Sequence, residues 1–430
     1  MKLTNFGGAT AILEHKGKRI LFDPWLDDGI YNGSWFHYPP LKIGIPEVGR
    51  LDYVYISHIH EDHCSAGTIK HLNKDAEIII RDHQPNFVKK FLDSYGFQFK
   101  KVHLIKPHTP TKIADGLSVD IVEGDPAHEL SHAIDSGLVL DWDGFVVYNS
   151  NDCAPYEGGL DHIRRTYSKV DLGLLYYAGG SSYPPCYTNL THEQKLAEKK
   201  RIFDKGLKIF TDTVAALQPR WAMPFADQYV IGGSRSHLNS YLPHPPDGGA
   251  VLKALREVGL ESKALLLNSG QTFDFDAGEK IPNEPYRTHT DADKEAYIRE
   301  ELANKPYDHE AFVLDHRVPL DRMVALSRAY LWKQQQRAEY FPAFRYYLDV
   351  PDRKLRFELA LDQELHKAVA WDAPLVEPYL RLSASSTLFA LLLIGHVSWN
   401  IADAALFIDY ERKPNVYDPK LQAFINHIRI

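Results

Sequence analysis

Four potential metal ligands crowd into six residues, His58, His60, Asp62 and His63, in the run Ser57-His58-Ile59-His60-Glu61-Asp62-His63. The apolar run 53–56 leads directly into them and reads as a short buried strand. In an extended segment His58 and His60 point the same way, and the turn that follows can bring Asp62 and His63 round to the same point. One short loop can then grip two ions, His58 and His60 on the first, Asp62 and His63 on its neighbour. Neutral imidazole with carboxylate suits zinc, iron or manganese rather than calcium or a thiolate-type site. A polar surface loop that merely carries histidine is the bland reading in a chain with 21 of them. The spacing, and its place straight after a strand, argue for a catalytic loop instead.

Later strand ends offer the remaining ligands. The strand expected at 117–122 runs into Glu123-Gly124-Asp125-Pro126-Ala127-His128, with His132 four residues on. His128 is nearer the strand and is the first choice as a ligand; His132 is its rival, as a supporting catalytic group or as the ligand itself. A hairpin at 137–141 and 145–149 ends in Asp152, a short acidic side chain able to place an oxygen near both ions, or else an Asx-turn residue. His237, in Ser234-Arg235-Ser236-His237, is the last ligand candidate. Asp62 would orient a water or hydroxide for catalysis. Asp23, in Asp23-Pro24-Trp25, could hold the metal loop by hydrogen bonding, although Asp-Pro also simply initiates turns. Substrate-wall candidates are Trp35, His37 and Tyr38 in the aromatic loop 29–40, and Gly179-Gly180, where the backbone can approach a ligand closely.

The elements that position these groups alternate. Strands are expected at 2–6, 11–15, 19–22, 76–80, 101–105 and 172–176, with helices at 65–72, 85–95 and 192–216. Such alternation argues an α/β layered fold. From about residue 283 the texture changes to a charged helix at 292–303, an amphipathic helix at 318–337, paired strands at 344–349 and 354–361, and an apolar helix within 383–410. The chain is therefore divided into a catalytic domain, 1–285, and a C-terminal α+β segment, 286–430, serving as a lid, substrate wall or dimer surface.

Composition limits the partners. A formal charge of −8, from 57 acidic and 49 basic residues, gives no basic footprint for nucleic acid. The longest apolar run, 388–397, is well short of the ~20 residues that cross a bilayer. Three scattered cysteines, Cys64, Cys153 and Cys186, fit neither a disulfide framework nor a Cys-rich metal site, and with no visible secretory signal they point to a reducing cytoplasm. The expected partner is a small-molecule substrate, with no nucleic acid and no membrane; a homo-oligomer is compatible with the C-terminal segment.

His58-x-His60-x-Asp62-His63, followed by a later histidine, Asp152 and His237, resembles the metallo-β-lactamase superfamily, whose αββα sandwich seats one or two metals at the edge of two facing sheets. The likeness spans roughly residues 1–275. Within that superfamily the chain resembles the metallo-β-lactamase-like part of CMP-N-acetylneuraminate hydroxylase, through Asn149-Ser150-Asn151-Asp152-Cys153, Tyr177-Ala178-Gly179-Gly180-Ser181 and Leu217-Gln218-Pro219-Arg220 with Pro224-Phe225-Ala226. Those hydroxylases also carry a Rieske iron–sulfur domain, which needs paired Cys-x-His signatures absent from this chain. The resemblance implies two divalent metal ions, iron favoured over zinc or manganese. With iron, a diiron monooxygenase would take O2 and electrons from an external donor such as a separate reductase, and hydroxylate a small-molecule or nucleotide-sugar-like substrate. With zinc, a metallo-hydrolase would cleave an ester, lactone or phosphodiester. A metal-binding protein without turnover is the non-enzyme reading.

Overall fold

A computed structural model of the chain describes residues 1–127, 136–226 and 229–430. The first sheet begins with an antiparallel meander, β1 (Lys2–Gly7), β2 (Thr10–His15) and β3 (Lys18–Phe22). After a short β4 (Trp35–His37), it continues through parallel β5 (Tyr53–Tyr55), β6 (Glu77–Arg81) and β7 (Lys101–Ile105). The second sheet contains β8 (Thr111–Ala114), β9 (Leu117–Glu123), β10 (Ser136–Trp142), β11 (Phe145–Asn149), β12 (Leu172–Leu175) and β13 (Trp221–Pro224), joined in that order. The remaining strands of this half are β14 (Tyr229–Ile231), β15 (Thr272–Asp274) and β16 (Glu279–Ile281); β15 and β16 extend the first sheet past β1.

Period-two alternation explains the layering. In β2 Ala11 and Leu13 face the space between the sheets while Ile12 faces out, and in β3 Ile20 and Phe22 face in while Leu21 faces out. The inner residues meet Val119, Ile121, Leu138 and Leu140 of the second sheet. The outer ones are covered by the helix Phe87–Ser94, which contributes Val88 and Leu92. On the second sheet's outer face, Val139, Val146 and Leu175 pack with Ile163 of the helix Glu157–Thr166 and Phe210 of the helix His192–Leu217. Because both faces of each sheet are buried, the strands read as near-continuous apolar runs. This is a metallo-β-lactamase-like αββα sandwich.

The C-terminal residues build a third, five-stranded sheet in the order β19 (His366–Val369), β18 (Leu355–Ala360), β17 (Arg345–Val350), β20 (Tyr379–Ser383) and β21 (Asp409–Lys413). Its core is continuous with Trp25, Tyr31, Trp35, Tyr187 and Tyr229 from the preceding part of the chain. Helix Trp399–Ala404 is tied down where Ser34 Oγ donates to the Ala405 carbonyl (2.9 Å) and Trp35 Nε1 to the Ala404 carbonyl (2.8 Å). The aromatic loop expected at 29–40 is therefore partly regular: Trp35–His37 forms β4 and pairs antiparallel with β14. That pairing joins segments nearly two hundred residues apart, so no local signal announces it. Among the described residues no helix is long and apolar enough to cross a membrane.

Candidate metal centre

β5 ends at Tyr55, and the chain stays buried through Ile56, Ser57 and His58 before turning, with His63 N and Cys64 N both donating to the His60 carbonyl. The turn does what the spacing predicts. His58 Nε2 and His60 Nδ1 come within 2.8 Å of each other. His63 Nε2 lies 3.3 Å from Asp62 Oδ2 and 3.3 Å from Asp152 Oδ2. Ligand atoms of His58, His63 and Asp152 all fall within 4.8 Å of one another.

Each group is held from behind. Asp23 is fully buried; its Oδ1 accepts from Ser57 N (2.7 Å), and its Oδ2 accepts from Ser57 Oγ (2.8 Å) and His63 Nδ1 (2.8 Å). The hydrogen-bonding role considered for Asp23 is thus what the geometry shows. Asp152 is positioned by its neighbours: Asn149 Oδ1 accepts from Asn151 N, Asn151 Oδ1 accepts from Asp152 N, and Asn151 Nδ2 donates to the Ser136 carbonyl. Asn149 and Asn151 carry the Asx-type turn, which leaves the Asp152 carboxylate to the cluster. Tyr31, at φ +53, donates from its hydroxyl to Asp62 Oδ1 (2.9 Å) and accepts from Glu61 N (3.1 Å).

Electrostatics sort the imidazoles. Burial holds His58 well below its ordinary range, and lowers His60 as well, so both are neutral donors. Burial opposes protonation of His63 too, but the carboxylates of Asp152, Asp62 and Asp23 outweigh it and raise that ring well above its usual range. Burial likewise works against ionised Asp62, yet the charge and hydrogen bond of His63 bring its carboxyl down to about 2. A buried patch that balances one protonated imidazole against three carboxylates is one in which a cation can take the proton's place.

These groups open into a pocket of about 180 Å3, lined among others by Tyr31, Trp35, His60, Asp62, Asp152, Gly179, Gly180, Tyr229 and His244, with Asn400 and Asp403 from helix Trp399–Ala404. A Cβ at Gly180 would run into the Tyr229 hydroxyl and His244 Nε2, so only glycine fits. Of the expected substrate wall, Trp35, Gly179 and Gly180 lie here. His37 and Tyr38 do not: they line a separate cavity of about 440 Å3, because His37 stacks on Trp25 and is pinned to Asp28 through both its N and Nδ1.

The structure does not bring His237 to the pocket. It sits exposed in the 3-10 helix Gly233–Tyr241, its Nδ1 directed at the Ser234 carbonyl of the same turn. His244 occupies the pocket wall instead, buried, with Nδ1 donating to the Tyr229 carbonyl (3.3 Å) and Nε2 without a hydrogen-bond partner among the described residues. Burial, assisted by Lys294, pushes its ring down to about 3. His128 and His132 lie outside the described residues. Tyr31, Tyr229, His244 and Asp403 escape the sequence reading. The one available signal for His244 is its setting, Leu242-Pro243-His244-Pro245-Pro246, where prolines stiffen the turn.

Residues 18–182 match the family model described as a beta-lactamase superfamily domain. Among curated proteins, a putative Rieske 2Fe-2S iron-sulfur protein of Mycolicibacterium smegmatis is 28% identical over 288 residues, covering 64% of this chain and 54% of that protein. The cytidine monophosphate-N-acetylneuraminic acid hydroxylase of Cricetulus griseus is 26% identical over 281 residues, covering 63% of this chain and 44% of the relative. The chain thus spans about half the length of the curated relatives it matches. Solved structures that are similar include isothiocyanate hydrolase from Delia radicum gut bacteria, with a TM-score of 0.47 and 19% identity over 64% of this chain and 99% of that one. Another is CmlA, a diiron beta-hydroxylase from Streptomyces venezuelae, with a TM-score of 0.43 and 16% identity over 63% of this chain and 53% of that one.

Proposed function

From the premise that residues 18–182 form a beta-lactamase superfamily domain, we propose that this protein is a dinuclear metal-dependent enzyme, a non-haem diiron hydroxylase of a small-molecule substrate. The observation that carries the metal reading is the convergence of His58, His63 and Asp152 at the foot of a pocket whose wall carries His60, Asp62, Asp152 and His244. The donor set fits: His58, His60 and His244 are held neutral by burial, Asp62 is held ionised, and the buried His244 Nε2 has no hydrogen-bond partner among the described residues, which is costly. His58, His60, Asp62, His63, Asp152 and His244 would hold the metals. When bound, iron would supply dioxygen activation for oxygen insertion into a C–H bond, whereas zinc would supply activation of water.

Hydroxylation is favoured by the curated relatives, named for the hydroxylation of a CMP-linked sugar or for Rieske iron–sulfur proteins. The chain's own residues do the rest. Asp62, kept ionised and steered by the Tyr31 hydroxyl, would orient a water or hydroxide at the reacting centre. The stacked rings of Trp35 and Tyr229 limit water entry, and Gly179-Gly180 lets a substrate lie against the backbone. The segment 286–430 acts as a substrate wall through Asn400 and Asp403. A hydroxylase would take its electrons from a donor such as a separate reductase or a small reductant; Cys64, Cys153 and Cys186 are buried and in no disulfide.

Hydrolysis of an ester, lactone or phosphodiester is the second reading, favoured by the same Asp62, which is suited to orienting a water. Metal analysis with a visible spectrum of aerobically purified protein separates the two. About two irons per chain with a near-ultraviolet charge-transfer shoulder is the expected result; two zinc ions and a featureless spectrum overturn the hydroxylase.

A further inference from the structure

Beside the metal pocket lies a cleft of about 610 Å3 that shares Ser181 and Asp403 with it. Its wall carries Arg412 of β21, a residue only 9% exposed. Arg412 Nε and Nη2 both donate to the exposed Asn415 Oδ1, at 3.1 and 2.9 Å. Its guanidinium carbon lies 4.9 Å from the ring centroid of Tyr187 and 5.3 Å from that of Tyr183. Among the described residues no carboxylate pairs with it and its Nη1 makes no hydrogen bond.

The other charges of the cleft are accounted for. Glu198 pairs with Arg201 at 2.7 Å, and burial raises the Asp403 carboxyl towards the neutral form, its Oδ1 having no hydrogen-bond partner among the described residues. A guanidinium withdrawn from water without a counter-charge is costly. The guanidinium is held along its Nε–Nη2 edge by Asn415 and flanked by two tyrosine rings, and its other edge, Nη1 with the second Nη2 hydrogen, matches a two-oxygen anion. Cation–π contact with Tyr183 and Tyr187 offsets part of that cost and leaves the charge itself uncompensated.

We infer that this cleft is an oxyanion-binding site, in which Arg412 takes a carboxylate or phosphate of the substrate while the uncharged reacting portion extends past Ser181 and Asp403 into the metal pocket. The role as a substrate anchor rests on the metallo-enzyme reading; the anion site itself does not. Substrates are then anionic compounds long enough to bridge the two cavities, and a tyrosine-flanked ring next to the anion is favoured over an aliphatic chain.

The test is calorimetric titration of the full-length protein with inorganic phosphate and, separately, with benzoate. Wild type and His60→Ala are expected to bind at least one probe with equal affinity, because His60 belongs to the other cavity, and the tighter probe identifies the anion. Arg412→Gln should weaken that binding at least tenfold. Asn415→Ala, a surface change that frees the guanidinium without removing it, should weaken it several-fold, so the inference stands or falls even if Arg412→Gln does not fold. Absence of binding by wild type at millimolar concentration overturns it. So does unchanged affinity in folded Arg412→Gln or in Asn415→Ala, and so does loss of binding in His60→Ala, which would place the anion on the metals. Metal content of the same samples is read independently: wild type that lacks metal but binds the probe through Arg412 removes the metallo-enzyme and leaves the anion site.

Discussion

Asp23 and His63 are forty residues apart in the sequence, yet Asp23 Oδ2 accepts the His63 Nδ1 proton at 2.8 Å in a pair closed off from solvent. The bond fixes the ring's tautomer and turns Nε2 towards Asp62 and Asp152. Asp23→Asn keeps the shape and removes the charge. Metal affinity, measured by competition with a chromophoric chelator, should fall about 10- to 100-fold. Unchanged affinity would show that Asp23 only supports the loop.

The two histidine assignments can be set against each other. His60→Ala should lose metal while retaining the far-ultraviolet circular dichroism of the wild type, because the cores between and outside the sheets contain no residue of this loop beyond Cys64 and partly buried Ile59. His237→Ala should change neither metal content nor stability by more than about 0.5 kcal/mol, since it is an exposed side chain bonded within its own turn. Metal loss in His237→Ala would restore it as a ligand at the expense of His244.

His244 also predicts a pH dependence. Its folded-state ring titrates near 3, below the ordinary 6.5. Above pH 6.5 both states are neutral and the group contributes nothing. As pH falls from 6.5 towards 3, the unfolded chain takes up a proton that the folded chain refuses, so stability drops, by about 4 kcal/mol at pH 3. In chelator-treated protein, denaturant unfolding of His244→Gln should therefore show a shallower acid loss than wild type over this window. Parallel curves would mean that the ring is solvated.

Tyr31 reaches both carboxyl-bearing residues of the loop, donating to Asp62 and accepting from Glu61 N. Tyr31→Phe removes one hydrogen bond to a charged acceptor, an effect of roughly 1.5–3 kcal/mol. The expected outcome is about tenfold weaker binding of the more loosely held metal with little change in melting temperature. A fall in melting temperature with unaltered metal affinity would make Tyr31 a packing residue only.

Gly180 faces Tyr229 and His244 too closely for any side chain. Gly180→Ala should displace one of them at a cost of about 1–3 kcal/mol in thermal stability. It should also lower metal content through His244, where Gly179→Ala, which meets the Tyr176 side chain at its hydroxyl, should lower it less. Equal metal loss in both variants would argue against His244 as a ligand.

What the sequence determined by itself is what short-range geometry controls. His58, His60, Asp62 and His63 share one turn after one strand, so their convergence needs little more than alternation and a bend. The strands of the sandwich were legible for a related reason: sheets buried on both faces leave continuous apolar runs such as Ile78, Ile79 and Ile80 within β6 and Leu172–Leu175. Asp152 was legible because it lies in the short turn just after β11. Tertiary structure alone decided the rest. That His244 and not His237 lines the pocket depends on where the helix Gly233–Tyr241 and the turn after it come to lie, and both histidines sit in polar, proline- or serine-bordered stretches with no periodicity. The separation of Trp35 from His37 and Tyr38 followed from the pairing of β4 with β14 and from the hold of Asp28 on His37. Asn400 and Asp403 reach the pocket only because Ser34 and Trp35 bond the end of their helix, a contact spanning some 370 residues. Local pattern carries no record of closures that long, whose entropy is repaid only when the whole core assembles.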